Sequence, residues 1–231
     1  MSEPLRIALV GSTGLVGRGV VAACVGREDV RLVAIARREM QLPKGARMEL
    51  FVAEPDKWGE VIEAVQPKVV ICALGTTWAK SGKDEQAFRA VDHDLVMAVA
   101  QAAKDHGAER FVAVSSVGAD AHSSNFYLGV KGETDVALKT IGFHRLDILR
   151  PGLLRGERES DRRLGERIGI FASPVVNLFL HGRYRKYRGI PAETVAKGAL
   201  ALAKRAAQGR FVHENDAIRR AANSLPALVG T

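Results

Sequence analysis

An apolar strand that runs through a glycine-rich turn into a helix constrains this chain more than any other feature. Residues 5–10 have the aliphatic character of a buried strand, and residues 15–25 have the length and composition of a helix. Three glycines at three-residue spacing join them: Gly11, Gly14 and Gly17. Glycines let the backbone turn tightly and approach a pyrophosphate, whose charge meets the free N–H groups and positive dipole end of the helix. The junction predicts a phosphate site, although G-x-x-G-x-x-G departs from the usual G-x-G-x-x-G and a plain turn stays open.

Strands and helices then alternate along most of the chain. The predicted strands are residues 5–10, 30–36, 47–53, 68–73, 110–114 and 145–149, and the predicted helices are residues 15–25, 56–65, 84–106, 126–141 and 191–207. This alternation predicts an α/β fold with a doubly wound parallel sheet of the Rossmann type and right-handed crossovers. We expect the strand order 3-2-1-4-5-6, with residues 211–213 as a candidate seventh strand. The prediction is one domain over residues 1–231, in which residues 155–190 form a small substrate-side or interface segment.

Composition fits this fold and favours an anionic ligand. The 231 residues are 47% hydrophobic and 26% charged, as in a globular domain, and 34 Lys and Arg outnumber 26 Asp and Glu for a formal net charge of +8. Such a balance suits phosphate-bearing cofactors as well as nucleic acids. Cys24 and Cys72 lie in separate apolar segments. We interpret them as reduced core residues, and we expect neither a metal site nor a disulfide framework.

The chain shows no segment that predicts secretion or membrane insertion. Residues 1–4 lead straight into the first strand, so no secretory signal is visible. The longest apolar stretch, residues 168–180, contains Ser173, Pro174 and Asn177 and is too short to span a bilayer. We therefore expect a cytoplasmic location without membrane contact.

Two segments at predicted strand ends favour a particular cofactor. Arg37 ends the second strand about twenty residues beyond the glycines, where NAD-binding folds place an acid against the ribose hydroxyl. An arginine there would attract the 2′-phosphate of NADP, so we predict that NADP(H) is preferred over NAD(H), with a solvated turn as the alternative. Leu74, Gly75 and Thr76 follow the fourth strand, at the sheet edge where such folds bind ligands.

Three side chains form a candidate catalytic group. Tyr127 and Lys131 are four residues apart on a predicted helix and so share one face. The ammonium group of Lys131 stabilises the phenolate of Tyr127, which makes the tyrosine a usable proton donor and acceptor. Ser116, at the end of the neighbouring strand, can hydrogen-bond a substrate carbonyl. Each of these patterns also occurs by chance, but their order behind the glycine loop favours a hydride-transfer site.

These motifs together resemble a known superfamily. Gly11-x-x-Gly14-x-x-Gly17, Ser115-Ser116-x-Gly118, Tyr127-x-x-x-Lys131 and Arg150-Pro151-Gly152 are similar to the motifs of short-chain dehydrogenases/reductases. The stretches at residues 74–77, 114–120 and 127–133 more narrowly resemble the atypical branch that includes the Tat-interacting protein. The superfamily resemblance covers residues 5–155 and is only general after residue 160.

The resemblance implies a role for each matching residue. Tyr127 would be the acid/base, Lys131 its partner and ribose anchor, and Ser116 the carbonyl-positioning group, with Ser115 as the fallback. The implied cofactor-binding residues are Gly11, Ser12, Thr13, Gly14, Leu15, Val16, Gly17, Arg37, Leu74, Gly75, Thr76, Ser115, Tyr127, Lys131, Pro151, Gly152 and Leu153. The asparagine that completes the proton relay of main-line members is not obvious, and Asp92 falls near that point.

Several functions stay open on these patterns. The first is an NADPH-dependent reductase acting on a small-molecule carbonyl, and the second is an NADPH-sensing regulatory protein that packs another chain through residues 168–180. Residues 184–188 mix basic and aromatic side chains, as in single-strand nucleic-acid binders, but no module supports that reading. Isomerase or dehydratase chemistry on a nucleotide sugar is also compatible with the fold, and a homodimer remains open.

Overall fold

A seven-stranded parallel sheet forms the centre of the molecule. The structure is a computed structural model that describes residues 3–156 and 182–227. The strands are β1 (Leu5–Val10), β2 (Val30–Ala36), β3 (Glu49–Val52), β4 (Val69–Cys72), β5 (Arg110–Val114), β6 (Arg145–Arg150) and β9 (Gly209–Glu214). Their order is β3-β2-β1-β4-β5-β6-β9, and every neighbouring pair is parallel. The predicted order 3-2-1-4-5-6 is confirmed, and the candidate seventh strand pairs with β6.

Helices cover both faces of the sheet. They are α1 (Leu15–Cys24), α2 (Trp58–Val65), α3 (Glu85–Arg89), α4 (Leu95–Asp105), α5 (Phe126–Leu138), α6 (Ala192–Ala203) and α7 (Asn215–Asn223). Successive side chains of a strand point to opposite faces, so Ile7 and Leu9 of β1 pack with α1, α6 and α7. Ala8 and Val10 pack with α2, α4 and α5 on the other face. The predicted Rossmann-type architecture is therefore the observed one.

The predicted helix over residues 84–106 differs from the structure in its middle. Asp84 caps α3 by accepting hydrogen bonds from the N–H groups of Gln86 and Ala87. A π-helical turn over Ala90–Asp94 then separates α3 from α4. Such turns are rare and often occur at functional sites. Here the turn carries Asp92, which is completely buried.

The carboxyl-terminal part holds elements that sequence patterns did not predict. A two-stranded sheet pairs β7 (Leu154–Arg155) with β8 (Ile190–Pro191), and Gly182–Tyr187 forms a 3-10 helix. The apolar stretch 168–180, and with it most of the predicted segment 155–190, lies outside the described residues. Within the described ranges no helix is long and apolar enough to cross a membrane. In those ranges no cluster of His, Cys, Asp and Glu side chains is arranged to hold a metal ion.

The loops after β1 and β4 meet where the strand order reverses. Gly11 has a φ of +87°, and a Cβ atom at this position would lie 2.6 Å from the carbonyl oxygen of Ala73. Only glycine meets both conditions without strain. In open parallel sheets, ligands bind beyond the carboxyl ends of the strands at this reversal point.

Candidate active site

A cleft of about 480 Å³ opens at the carboxyl ends of the central strands. Its walls come from the glycine loop, from the ends of β2, β4 and β5, and from α5 and β7. The residues that line it are Thr13, Gly14, Leu15, Val16, Arg18, Arg38, Ala73, Leu74, Gly75, Thr76, Thr77, Lys80, Asp92, Val114, Ser115, Tyr127, Lys131 and Leu154. The cleft thus runs from the predicted phosphate loop to the predicted catalytic residues.

The glycine loop presents the amino-terminal end of α1 to this cleft. A Cβ atom at Gly17 would lie 2.1 Å from the carbonyl oxygen of Gly11, so helix and loop pack in direct backbone contact. Gly14 caps α1 without a side-chain hydrogen bond. The first N–H groups of a helix have no partner within the helix, and together with the positive dipole end they favour a phosphate. Arg18 and Arg38 also line the cleft and add positive charge to it.

Helix α5 carries the predicted catalytic pair. The side chain of Asn125 caps it by accepting a hydrogen bond from the N–H group of Leu128 at 3.1 Å. The ring of Tyr127 packs against the ring of Phe88, with centroids 5.4 Å apart. Tyr127 and Lys131 both line the cleft, as their spacing predicts.

The lysine is held by a buried aspartate. The Nζ atom of Lys131 lies 2.7 Å from Oδ1 of Asp92. Oδ2 of the same carboxylate accepts a hydrogen bond from the N–H group of Thr76 at 2.7 Å. Thr134 donates a hydrogen bond to the main-chain carbonyl of Asp92 at 3.0 Å. Asp92 therefore joins the loop after β4 to α5.

The charges around Lys131 decide its protonation. Burial lowers the pKa of Lys131, but the negative charge of Asp92, together with Tyr127 and Asp135, outweighs burial and leaves this pKa raised. Asp135 is itself buried, and burial raises its pKa despite the charge of the nearby Arg150. Arg150 lies 2.8 Å from Asp135. The raised pKa keeps the Lys131 ammonium group protonated at neutral pH, although the residue is only 6% exposed.

The two adjacent serines lie differently. Ser115 lines the cleft beside Tyr127 and Lys131. The hydroxyl of Ser116 donates toward the carbonyl oxygen of Val117 at 3.4 Å, and among the described residues Ser116 does not line the cleft. The Ser115 hydroxyl oxygen is buried and has no hydrogen-bond partner among the described residues. Both serines therefore stay candidates for contact with a substrate.

The other predicted binding residues divide into two groups. Those that line the cleft are Thr13, Gly14, Leu15, Val16, Leu74, Gly75 and Thr76. Those that the described part of the cleft does not include are Gly11, Ser12, Gly17, Arg37, Pro151, Gly152 and Leu153. Gly11 and Gly17 allow the close backbone contacts of the loop without lining the cleft, and Ser12 is completely buried. The binding roles given to all of these residues stay predictions.

Sequence reasoning did not include Arg18, Arg38, Lys80 and Leu154 in the site. Arg18 immediately follows the last glycine and Arg38 follows Arg37, so each stood one position from a predicted residue. Leu154 lines the cleft as part of β7, and its pairing with β8 gave no sequence signal.

A buried asparagine fixes the loop after β6. Oδ1 of Asn215 accepts a hydrogen bond from the N–H group of Gly152 at 2.9 Å. Its Nδ2 group donates to the carbonyl oxygen of Arg188. The carbonyl oxygen of Pro151 accepts from the N–H group of Val117 at 3.0 Å. The loop predicted to face the nicotinamide is thus hydrogen-bonded to the loop after β5 and to the first residue of α7.

Fold and site together define a dinucleotide-binding protein of the short-chain dehydrogenase/reductase type, in its atypical branch. Residues 11–177 match the model of a family described as NAD(P)H-binding. The chain belongs to this NAD(P)H-binding family.

Curated relatives and a solved structure agree with this assignment. Protein fmp52, mitochondrial, of Aspergillus niger is 34% identical over 211 residues, which cover 88% of this chain and 89% of that protein. Protein FMP52, mitochondrial, of Eremothecium gossypii is 37% identical over 205 residues, covering 86% and 88%. A Bacillus halodurans protein provisionally named an NAD-dependent epimerase/dehydratase is 24% identical with a TM-score of 0.67, and covers 96% of this chain and 100% of that chain. This last likeness shows the fold.

The relatives correct one expectation. The curated relatives are named mitochondrial proteins, so the predicted cytoplasmic location is wrong. The prediction depended on the first residues of the chain, whose lack of a secretory signal carries no information about mitochondria.

Proposed function

We propose that the protein is an NADP(H)-dependent reductase of small-molecule carbonyl compounds, with Tyr127 as the proton donor. One observation carries the proposal: Ser115, Tyr127 and Lys131 line the same cleft as the glycine loop. A phosphate-binding end and an acid/base end in one cleft are the two parts that hydride transfer to a carbonyl needs.

The residues of the cleft fit a nicotinamide dinucleotide. Gly11 and Gly17 make backbone approaches that a Cβ atom would obstruct, and they leave the helix end open to a pyrophosphate. The 2′-phosphate of NADP would meet Arg38, with Arg37 beside it at the end of β2. When bound, the cofactor supplies the hydride. Lys131 would hydrogen-bond the ribose.

The protein's own groups would handle the substrate carbonyl. Ser116, with Ser115 as the fallback, would donate a hydrogen bond to the carbonyl oxygen and hold it beside the Tyr127 phenol. The phenol gives its proton to this oxygen as the carbonyl carbon is reduced. The phenolate that remains would be stabilised by the positive charge of Lys131, because a buried ammonium group attracts it more strongly than water does.

A matched set of variants tests the catalytic roles. Tyr127→Phe keeps the ring that packs on Phe88 but removes the transferable proton. It should lower kcat by about 10²- to 10⁴-fold, the range for general acid catalysis, with little change in NADPH affinity. Ser116→Ala should lower kcat and leave NADPH affinity intact, and Ser115→Ala is measured beside it to test the fallback. The measurement is NADPH oxidation at 340 nm against aldehydes, ketones and quinones, and unchanged activity in Tyr127→Phe would eliminate the mechanism.

Calorimetric titration tests the cofactor preference. NADPH should bind more tightly than NADH, and Arg38→Ala should reduce this difference more than Arg37→Ala because Arg38 lines the cleft. Equal affinities of the wild type for the two cofactors would contradict the proposal. NADPH binding without turnover on any carbonyl would instead favour the regulatory alternative.

A further inference from the structure

The buried aspartate of the π turn carries an inference about how the catalytic lysine is maintained. Asp92 is completely buried and uses both carboxylate oxygens, one toward the Nζ atom of Lys131 and one toward the N–H group of Thr76, each at 2.7 Å. A buried charge is costly unless it is paired and hydrogen-bonded. The buried ammonium group of Lys131 therefore depends on the carboxylate of Asp92 as its partner.

We propose that Asp92 is a positioning residue that keeps Lys131 cationic and ties its charge to the loop holding Gly75 and Thr76. The proposal rests on the proposed function in assuming that Lys131 serves Tyr127. The claim that Asp92 keeps Lys131 protonated concerns Lys131 alone and does not depend on the protein being a catalyst.

The surroundings of Lys131 leave Asp92 as its main compensating charge. Lys131 is 6% exposed, so water contributes little to stabilising its ammonium group. Asp135, which also faces the lysine, is already paired with Arg150 at 2.8 Å. The ionisable groups that interact with Lys131 are Asp92 from the π turn, Tyr127 and Asp135 from α5, and Cys72 from β4. Arg150 from β6 pairs with Asp135.

The second carboxylate oxygen extends the effect to the cofactor side of the cleft. Gly75 and Thr76 line the cleft, and the N–H group of Thr76 donates a hydrogen bond to Oδ2 of Asp92. Loss of the carboxylate would therefore remove the charge that holds Lys131. It would weaken the hydrogen bond that fixes the loop as well.

The variant Asp92→Asn tests the proposal, since it keeps an oxygen for Thr76 but removes the charge. Glu133→Gln is the matched control: it removes a carboxylate from α5 that pairs with Arg89 at 2.6 Å on the exposed side of the helix. In isotope-labelled lysine NMR, with Lys131→Arg to assign the signal, the Lys131 ammonium should titrate at lower pH in Asp92→Asn. The control should titrate like the wild type, and an unchanged titration in Asp92→Asn would overturn the proposal.

Activity gives a second readout. Asp92→Asn should approach wild-type kcat at low pH, where Lys131 is still protonated. On the alkaline side its loss should grow about tenfold per pH unit, as for one titrating group. A loss independent of pH would mean a merely structural role and would overturn the proposal. If the enzyme has no carbonyl substrate, this readout fails while the NMR titration still decides the proposal.

A double variant covers the case in which Asp92→Asn does not fold. Adding Lys131→Met removes the charge that Asp92 would have compensated. By circular dichroism, Asp92→Asn/Lys131→Met should regain the folded spectrum. A double variant that stays unfolded would show that Asp92 is needed for packing rather than for charge, and would overturn the proposal.

Discussion

Replacing Gly17 by alanine tests whether the glycine loop holds a pyrophosphate. The new Cβ atom would lie 2.1 Å from the carbonyl oxygen of Gly11, whereas an unstrained contact needs about 3.5 Å. The loop and the start of α1 must therefore separate by more than about 1 Å. Hydrogen bonds of about 2.9 Å would stretch beyond the range in which they hold. Losing two bonds to a charged phosphate costs about 3 kcal/mol or more, so NADPH affinity should fall at least about 100-fold.

Calorimetry with NADPH gives the measurement, and Gly59→Ala is the matched control. A Cβ atom at Gly59, on α2, would meet its nearest neighbour, the Cβ atom of Ala102, at an ordinary 3.7 Å. This variant should bind NADPH like the wild type and gain slightly in stability, because alanine favours a helix over glycine by about 1 kcal/mol. If folded Gly17→Ala binds NADPH within about threefold of the wild type, the loop is not the phosphate site.

Two further predictions concern the core. Burial raises the pKa of Cys24 to about 12 and that of Cys72 to about 11. A thiol reagent at pH 8 should therefore label neither cysteine in the native protein and both in denaturant. Rapid labelling of the native protein would contradict the burial of the two thiols. Asp147 is 1% exposed and pairs with Arg145 at 2.6 Å. Asp147→Asn should therefore lower the free energy of unfolding, measured in urea, by about 3–5 kcal/mol. A loss below about 1 kcal/mol would show that the ion pair adds little to stability.

Local sequence patterns were sufficient for the sheet and for the cleft's location. Parallel strands buried on both faces read as continuous aliphatic runs, which makes strands such as β1 and β4 visible without a structure. The glycines marked the reversal point because no other residue permits the contact between Gly11 and Ala73. The spacing of Tyr127 and Lys131 placed them on one face, and both line the cleft.

Features that depend on tertiary contacts could not be predicted from the sequence. The π turn has the composition of the surrounding helix, so the periodicity predicted one uninterrupted helix and left the role of Asp92 open. The choices between Ser115 and Ser116, and between Arg37 and Arg38, depend on how the chain leaves a strand, which side-chain type does not specify. Helix α7 did leave a signal, because Ile218, Ala221 and Ala222 follow a helical period and are buried.

The proposed catalytic pair on α5 contacts a second pair of residues on the facing segment. Tyr127 and Lys131 are four residues apart, and so are the residues that hold them: Phe88 on α3 and Asp92 on the π turn. Phe88, which is completely buried, packs against the phenol ring, while Asp92 binds the ammonium group. Because both supports belong to one continuous segment, a change in the π turn would move the ring contact and the ion pair together. The same segment also contacts the loop after β4, because the second carboxylate oxygen of Asp92 accepts a hydrogen bond from the N–H group of Thr76.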